Sequence, residues 1–236
     1  MILSIDLASR RYRDNGIALL SAVGSRTRTE IVSPESLGLV GEPDSVAFAR
    51  ALCALAESRE VRLLILDGPQ GWRADASTLV HARACERETL TPGKTGLPGQ
   101  VKPRSWTRMA EFSIALFDAL EVSGWPRLTS RWAGERVAVE SFPTHAWRVL
   151  GHPPLPGKGR RADVSPWRER LEREFLSHRI DDASHDDVQA IVAGLAGRQM
   201  LEGGLGACDV RGREPSHESG HWREGFIVCP RATLTA

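Results

Sequence analysis

Three short apolar runs, each followed by an acidic residue, constrain the fold of this chain more than any other feature. Residues 2–5, 61–66 and 136–139 are followed by Asp6, Asp67 and Glu140, in that order. Runs of this length suit buried β-strands, because helices usually need about 10–12 residues. A carboxylate that leaves the core at the end of a strand is costly unless it is paired, hydrogen-bonded or bound to a metal ion. We therefore treat the remaining chain as a scaffold for these three acids.

The composition is ordinary for a globular protein: of 236 residues, 41% are hydrophobic and 26% are charged. The formal net charge of +1 gives no electrostatic argument for nucleic acid or membrane. The four cysteines lie far apart without a CxxC pair, which argues against zinc. No apolar run approaches the ~20 residues of a membrane span, and Asp6 and Arg10 interrupt the N-terminal run too early for a signal peptide. We expect no membrane association and a cytoplasmic protein with free thiols.

The predicted elements follow the order three strands, helix, strand, helices, strand, helices. Turn signals at Asn15-Gly16 and Gly24-Ser25 make the first three strands an antiparallel meander. A helix over residues 46–57 leads to the strand that ends at Asp67, and the right-handed crossover rule makes this strand parallel to the first. Further helices are predicted over residues 76–90, 106–122, 144–150, 165–177 and 186–201, the tail over residues 203–220 is expected to be loose, and the segment near Phe226 adds a last strand.

Two segments rich in Gly and Pro are expected to be the most mobile parts of a single domain that covers residues 1–236. They are residues 91–104 and 151–161, and both also carry basic side chains. Their Gly and Pro residues are expected to preclude regular pairing. Long loops of this kind are often functional.

The order of these elements is that of the ribonuclease H-like fold, which Holliday-junction resolvases and transposases also use. Six short motifs carry the resemblance further: Ile5-Asp6-Leu7-Ala8, Leu66-Asp67-Gly68-Pro69, Arg83-Ala84-Cys85-Glu86-Arg87-Glu88, Val139-Glu140-Ser141-Phe142-Pro143, His185-Asp186-Asp187 and Glu224-Gly225-Phe226-Ile227-Val228. In these motifs and their order, nearly the whole chain resembles the family catalogued as domain of unknown function 429, whose members are described as predicted nucleases. The resemblance implies an α/β protein with a five-stranded mixed sheet in the order 3-2-1-4-5, flanked by helices.

In this fold the three strands that end in acids run parallel side by side, so the carboxylates converge at one edge of the sheet. Mg²⁺ or Mn²⁺ relieves the repulsion among such acids and needs only oxygen ligands. The resemblance adds a ligand from the start of the last long helix, either Asp186 or Asp187, and we favour Asp186. The predicted catalytic and metal-binding residues are Asp6, Asp67, Glu140 and Asp186, with Asp187 as a further metal ligand.

Each of these acids could instead cap a turn or pair with an arginine. In addition, Gln189 stands one helical turn after Asp186, where the resolvase-like pattern has an Asp. Because a glutamine carries no charge, this departure weakens the expectation of a second metal ion.

Four basic residues are candidates for holding the phosphates of a substrate: Arg83, Arg87, Lys94 and Lys102. Arg83 and Arg87 would share one helix face at positions i and i+4, although they could equally pair with Glu86, Glu88 or Glu140. The leading hypothesis is a Mg²⁺- or Mn²⁺-dependent nuclease that acts on DNA or RNA. One alternative is a non-catalytic nucleic-acid or protein-binding module whose acids are vestigial. A phosphotransferase is a weaker one, since the chain is too short for two copies of the domain. The sequence does not indicate an oligomeric state.

Overall fold

A mixed β-sheet of seven strands forms the centre of the molecule in the computed structural model, which describes residues 1–232. In all, the described residues form nine strands, seven of them in this sheet. They are β1 (Ile2–Asp6), β2 (Gly16–Val23), β3 (Arg26–Ile31), β4 (Leu63–Asp67), β5 (Lys94–Thr95), β6 (Val101–Lys102), β7 (Val137–Ser141), β8 (Cys208–Glu218) and β9 (His221–Pro230). Strands β5 and β6 form a separate small hairpin, and the order in the main sheet is β3-β2-β1-β4-β7-β9-β8. The neighbours β1, β4, β7 and β9 run parallel, whereas the pairs at both edges of the sheet are antiparallel.

Helices cover both faces of this sheet. They are α1 (Ser45–Ser58), α2 (Ala84–Glu88), α3 (Thr107–Val122), α4 (Pro143–Val149), α5 (Ser165–Glu174) and α6 (His185–Gly203). Successive side chains of β1 point to opposite faces of the sheet, as they do in any β-strand. Leu3 and Ile5 pack with α1 and α3, whereas the Ser4 hydroxyl donates a 2.6 Å hydrogen bond to the carbonyl of Ala190 in α6. No helix within residues 1–232 has the length and apolar character needed to cross a membrane.

The register of the parallel strands decides which side chains meet at their carboxyl ends. Asp6 pairs with Asp67 across β1 and β4, and Asp67 pairs with Ser141 across β4 and β7. Residues that pair in register point to the same face of a sheet. Asp6, Asp67 and Ser141 therefore form a row on the face covered by α6, because Asp6 lies two residues after Ser4.

The predicted sheet order 3-2-1-4-5 is present as β3-β2-β1-β4-β7, but the prediction of five strands is wrong, because β9 and β8 extend the sheet to seven. The predicted loose tail over residues 203–220 instead contains β8. This strand lies at the edge of the sheet and alternates between half-buried and exposed residues over much of its length. Its sequence is therefore mostly polar and resembles a loop.

Two further predictions of local structure are wrong. The helix predicted over residues 76–90 is reduced to α2. The chain before it follows an irregular path between Ala74 and Ala84, whose amides both donate to the Glu224 carboxylate in β9. Regular pairing within residues 91–104 was predicted to be absent, yet β5 and β6 pair there. The buried Glu86 carboxylate anchors this hairpin by accepting hydrogen bonds from the Thr95 amide and hydroxyl.

Candidate metal centre and adjoining cavity

Asp6 and Asp67 form the centre of the candidate site. Both are half-buried at the ends of neighbouring strands, where they pair in register. Burial and the charges of Asp67 and Asp186 raise the pKa of Asp6 well above its usual value. Burial also raises the pKa of Asp67, to about 7, with a smaller contribution from the charge of Glu140. Without a cation the pair therefore retains a proton near neutral pH.

The start of α6 brings a third carboxylate to this pair. Ser184 caps the helix, and the Asp187 carboxylate is used in the cap, accepting from the Ser184 amide at 2.9 Å and its hydroxyl at 2.6 Å. Asp186 is buried and faces β1 instead. One ligand atom each from Asp6, His185 and Asp186 lies within 4.8 Å of the other two. Of the two predicted aspartates of α6, Asp186 is therefore the one that lies in the acid cluster.

Gly16 permits this close approach of helix and strand. It pairs with Asp6 across β1 and β2, directly beneath the first turn of α6. A Cβ atom at Gly16 would lie 2.2 Å from the carbonyl carbon of Asp186. Only glycine fits at a contact of this kind.

The segment over residues 151–161 supplies a cation to the acid cluster. The Lys158 ammonium group forms an ion pair with Asp186 and also donates to the carbonyl of Asp14 at 3.3 Å. His185 joins the same segment, because its Nε2 donates to the Pro156 carbonyl at 2.8 Å while its Nδ1 lies 3.1 Å from Asp186. Burial opposes ionisation of Asp186, but the hydrogen bonds from His185 and Lys158 outweigh it and lower the pKa of Asp186.

Glu140 is engaged in a separate buried ion pair. Both of its oxygens accept hydrogen bonds from the Arg83 guanidinium, at 2.7 and 2.6 Å, and one also accepts from the Gln70 amide. In the register of β4 and β7, Glu140 pairs with Leu66, whereas Ser141 pairs with Asp67. Glu140 therefore starts from the opposite face of the sheet to the acid cluster, and the structure does not place it among the clustered ligands.

The predicted phosphate-binding residues lie in different surroundings. Arg83 is buried and bound to Glu140 and Glu86, and it precedes α2 as its N-cap, whereas Arg87 is exposed. The prediction that these two arginines share one helix face is therefore wrong. The Lys94 ammonium group donates to the carbonyls of Glu86 and Thr91, and burial lowers the pKa of Lys94. Lys102 is exposed.

The donor set of the acid cluster fits Mg²⁺ or Mn²⁺. Carboxylate oxygens are the ligands that these ions prefer, and a cation would relieve the repulsion that raises the pKa values of Asp6 and Asp67. Gln189, in contrast, contributes nothing to such a site. Its side-chain oxygen accepts a 3.0 Å hydrogen bond from the buried indole of Trp147.

A cavity of about 500 Å³ adjoins the acid cluster. Its lining includes Asp67 and Lys158 at one end, and Arg10, Leu7, Met109 and Trp106 elsewhere. No sequence motif marks Lys158, Arg10 or Trp106 as a site residue. Their only sequence signal is position: Arg10 follows the strand that ends at Asp6, Lys158 lies in a Gly- and Pro-rich segment, and Trp106 begins a helix.

Comparison with known proteins gives little more. No family model matches the chain, so the resemblance to domain of unknown function 429 receives no support from one. No curated protein matches either. Among solved structures, a Thermus thermophilus RuvC structure is 10% identical over 85% of this chain and 96% of that chain, with a TM-score of 0.39. A likeness of this size carries no argument about function.

Proposed function

We propose that this chain is a divalent-metal-dependent nuclease that hydrolyses phosphodiester bonds of nucleic acid. The observation that carries the proposal is the Asp6–Asp67 pair, two adjacent carboxyl groups at the ends of parallel strands. Within residues 1–232, neither forms a salt bridge. Half-buried acids without such partners are typical of functional sites, because a structural role alone would favour their replacement. The strand order β3-β2-β1-β4-β7 is also the one expected for a ribonuclease H-like nuclease.

In this proposal Asp6 and Asp186 would hold Mg²⁺ or Mn²⁺ together with Asp67, which pairs with Asp6 in register, and His185 lies beside Asp6 and Asp186. A bound ion would act as a Lewis acid on a phosphate and lower the pKa of a water molecule. Asp187 holds the helix start in place through its cap. Arg83 and Glu140 act indirectly, since their ion pair fixes the loop after β4 through the Gln70 amide.

Lys158 has two roles open to it at this site. In the structure its ammonium group neutralises Asp186. A cation bound among the acids would compete with Lys158 for Asp186, and Lys158 would then be free to contact a substrate phosphate, because residues 151–161 are largely irregular and Lys158 is half exposed.

The same ion pair supports a second candidate function, a non-catalytic binding module. Lys158 already occupies the position of a counter-ion, and Gln189 is committed to Trp147 rather than to a second metal ion. A protein with such a vestigial site would retain the fold and bind a partner without binding metal.

Metal binding and cleavage separate the two functions. We expect Mn²⁺ to bind the wild-type protein in a calorimetric titration, and labelled DNA or RNA to be cleaved with Mn²⁺. Asp6→Asn should lose both properties while keeping its fold, because it removes one carboxylate from the cluster. Asp182→Asn is the matched control, since Asp182 is exposed and lies outside the cluster.

Equal cleavage by wild type and Asp6→Asn would refute the site. Absence of both metal binding and cleavage in the wild type would favour the binding module.

A further inference from the structure

The cavity beside the acid cluster is larger than a metal ion requires. Its volume of about 500 Å³ lies within the range of roughly 300–1,000 Å³ that is usual for small-molecule sites. It extends from Asp67 to the start of α3, so that a molecule bound there would reach the acids at one end. The shape therefore indicates an organic group attached to, or close to, the scissile phosphate.

The far end of the cavity presents an aromatic ring. Trp106 lies at the turn before α3, and 43% of its surface is exposed although it is a large hydrophobic residue. Its ring packs against Gly93, where a Cβ atom would lie 2.4 Å from the ring, so the ring is supported by the turn that leads into β5. Leu7 and Met109 add apolar surface to the same lining. A fixed aromatic ring beside apolar side chains is the usual platform for stacking a nucleobase.

The rim of the cavity carries an uncommitted cation. Arg10 lines the cavity and is exposed, and within residues 1–232 it takes part in neither a side-chain hydrogen bond nor a salt bridge. Lys158 lies at the end of the cavity next to the acids. The lining therefore combines apolar and aromatic side chains, cationic side chains and the Asp67 carboxylate, which matches the base and the phosphate of one nucleotide.

We infer that this cavity binds one unpaired nucleotide, with its base on Trp106 and its phosphate between Arg10 and the acid cluster. This inference rests on the proposed function and narrows its substrate class to single-stranded, frayed or extruded nucleotides. A base that is paired and stacked within a duplex cannot enter a cavity of this kind without leaving the stack. The nucleotide can belong to a strand or be free, and the experiment below distinguishes these sources.

Equilibrium binding tests the inference without relying on turnover. Fluorescence anisotropy would compare a labelled ten-nucleotide thymidine strand with the matching duplex and with an abasic strand of equal length, in Ca²⁺, with gel analysis showing that the probes stay intact. Thymidine monophosphate serves as the competitor that represents a free nucleotide. We expect the single strand to bind about tenfold more tightly than the abasic strand or the duplex. Competition by the monophosphate at a concentration equal to that of the strand would identify the free nucleotide as the ligand.

Variants of Trp106 locate the base. Trp106→Ala should weaken binding of the strand about tenfold, the size expected for the loss of one stacked base, and should leave abasic binding unchanged. Trp106→Phe should retain most of the affinity, which separates stacking from damage to the hairpin. Val122→Ala is the control, because Val122 is 90% exposed at the other end of α3.

Equal binding of the thymidine and abasic strands, or unchanged affinity in Trp106→Ala, would overturn the inference. If Mn²⁺ binding and duplex cleavage persisted in that case, the nuclease proposal would stand and only the cavity assignment would fall. Failure of every nucleotide probe to bind, together with failure to bind Mn²⁺, would overturn both.

Discussion

Asp6 and Asp67 are the residues at which protonation and folding are most closely coupled. Burial, with a smaller contribution from the charge of Glu140, raises the folded-state pKa of Asp67 from 3.8 to about 7, and burial and the charges of Asp67 and Asp186 raise the pKa of Asp6. Between these pH values the folded protein binds protons that the unfolded chain has released. The metal-free protein therefore loses stability as pH rises from about 4 to about 7.

Asp6→Asn should weaken the dependence of stability on pH. The amide removes one charge from the pair, so the variant should be more stable than wild type at pH 7, by on the order of 1–2 kcal/mol. The advantage should shrink towards pH 4, where the wild-type pair is protonated. Urea unfolding in EDTA between pH 4 and pH 8 measures it, with Asp182→Asn as the control. Parallel stability curves for wild type and Asp6→Asn would contradict the coupling.

Lys158 competes with any cation for Asp186. Its ammonium group is the ion-pair partner of that carboxylate, and its charge lowers the pKa of Asp6. Lys158→Gln should therefore raise the affinity for Mn²⁺ several-fold at low ionic strength, because the ion no longer displaces a positive charge. A calorimetric titration measures the change, and Lys102→Gln, at an exposed lysine, is the control. Weaker Mn²⁺ binding by Lys158→Gln would show that Lys158 organises the site instead.

At the scale of elements, the contact between β2 and the start of α6 sets the geometry of the acid cluster. Gly16→Ala would place a methyl group 2.2 Å from the backbone of Asp186. The helix start must then move, which should destabilise the protein by about 1–3 kcal/mol and weaken Mn²⁺ binding. Gly206→Ala is the control, because a Cβ atom there meets no neighbour within 4 Å. Thermal unfolding and metal titration of both variants provide the measurement, and wild-type metal affinity in Gly16→Ala would argue against this geometry.

Much of the strand order could be predicted from the sequence, because apolar runs and turn signals are local. Asp6 and Asp67 can be predicted to be neighbours because each ends a short apolar run, and a single crossover joins the two strands that these runs form. The surroundings of Glu140 could not be predicted, because they depend on register. β7 continues one residue further, to Ser141, and a shift of one residue reverses the face on which a side chain lies.

Partners distant in sequence account for the other errors. The sequence allows Arg83 to pair with Glu86, Glu88 or Glu140 or to hold a phosphate, and no local pattern decides among these. The structure shows that Glu140, 57 positions away, binds Arg83 in the core together with Glu86. β8 lacks an apolar pattern because it is an edge strand, and its pairing depends on β9. Lys158 lies in an irregular segment, and hydrophobic periodicity cannot predict where such a segment places its side chains. Its ion pair with Asp186 was therefore not predictable.

At the scale of the whole molecule, β9 holds the loop that leads to the Arg83–Glu140 pair. The Glu224 carboxylate is buried and accepts hydrogen bonds from the amides of Ala74, at 3.1 Å, and Ala84, at 2.9 Å. Glu224→Ala would leave both buried amides without a partner, so it should reduce the free energy of unfolding by about 2–4 kcal/mol. Glu224→Gln, which keeps one acceptor oxygen, should cost less. Urea unfolding compares the two, and equal losses would indicate that the charge rather than the acceptor geometry matters.

This link between β9 and the residues after β4 also determines when the protein becomes competent during synthesis. Strands β1 and β4 can pair as soon as residues 1–67 have been made, since all their contacts with each other are then available. The loop over residues 70–84 gains its partners in β9 only after residues 221–230 have left the ribosome. Asp6 and Asp67 are therefore brought together early, whereas Asp186 at the start of α6 and the wall of the cavity next to Arg83 are added late. In the proposed nuclease, a nascent chain would carry two of the acids without a finished substrate site, so cleavage would await the synthesis of α6 and β9.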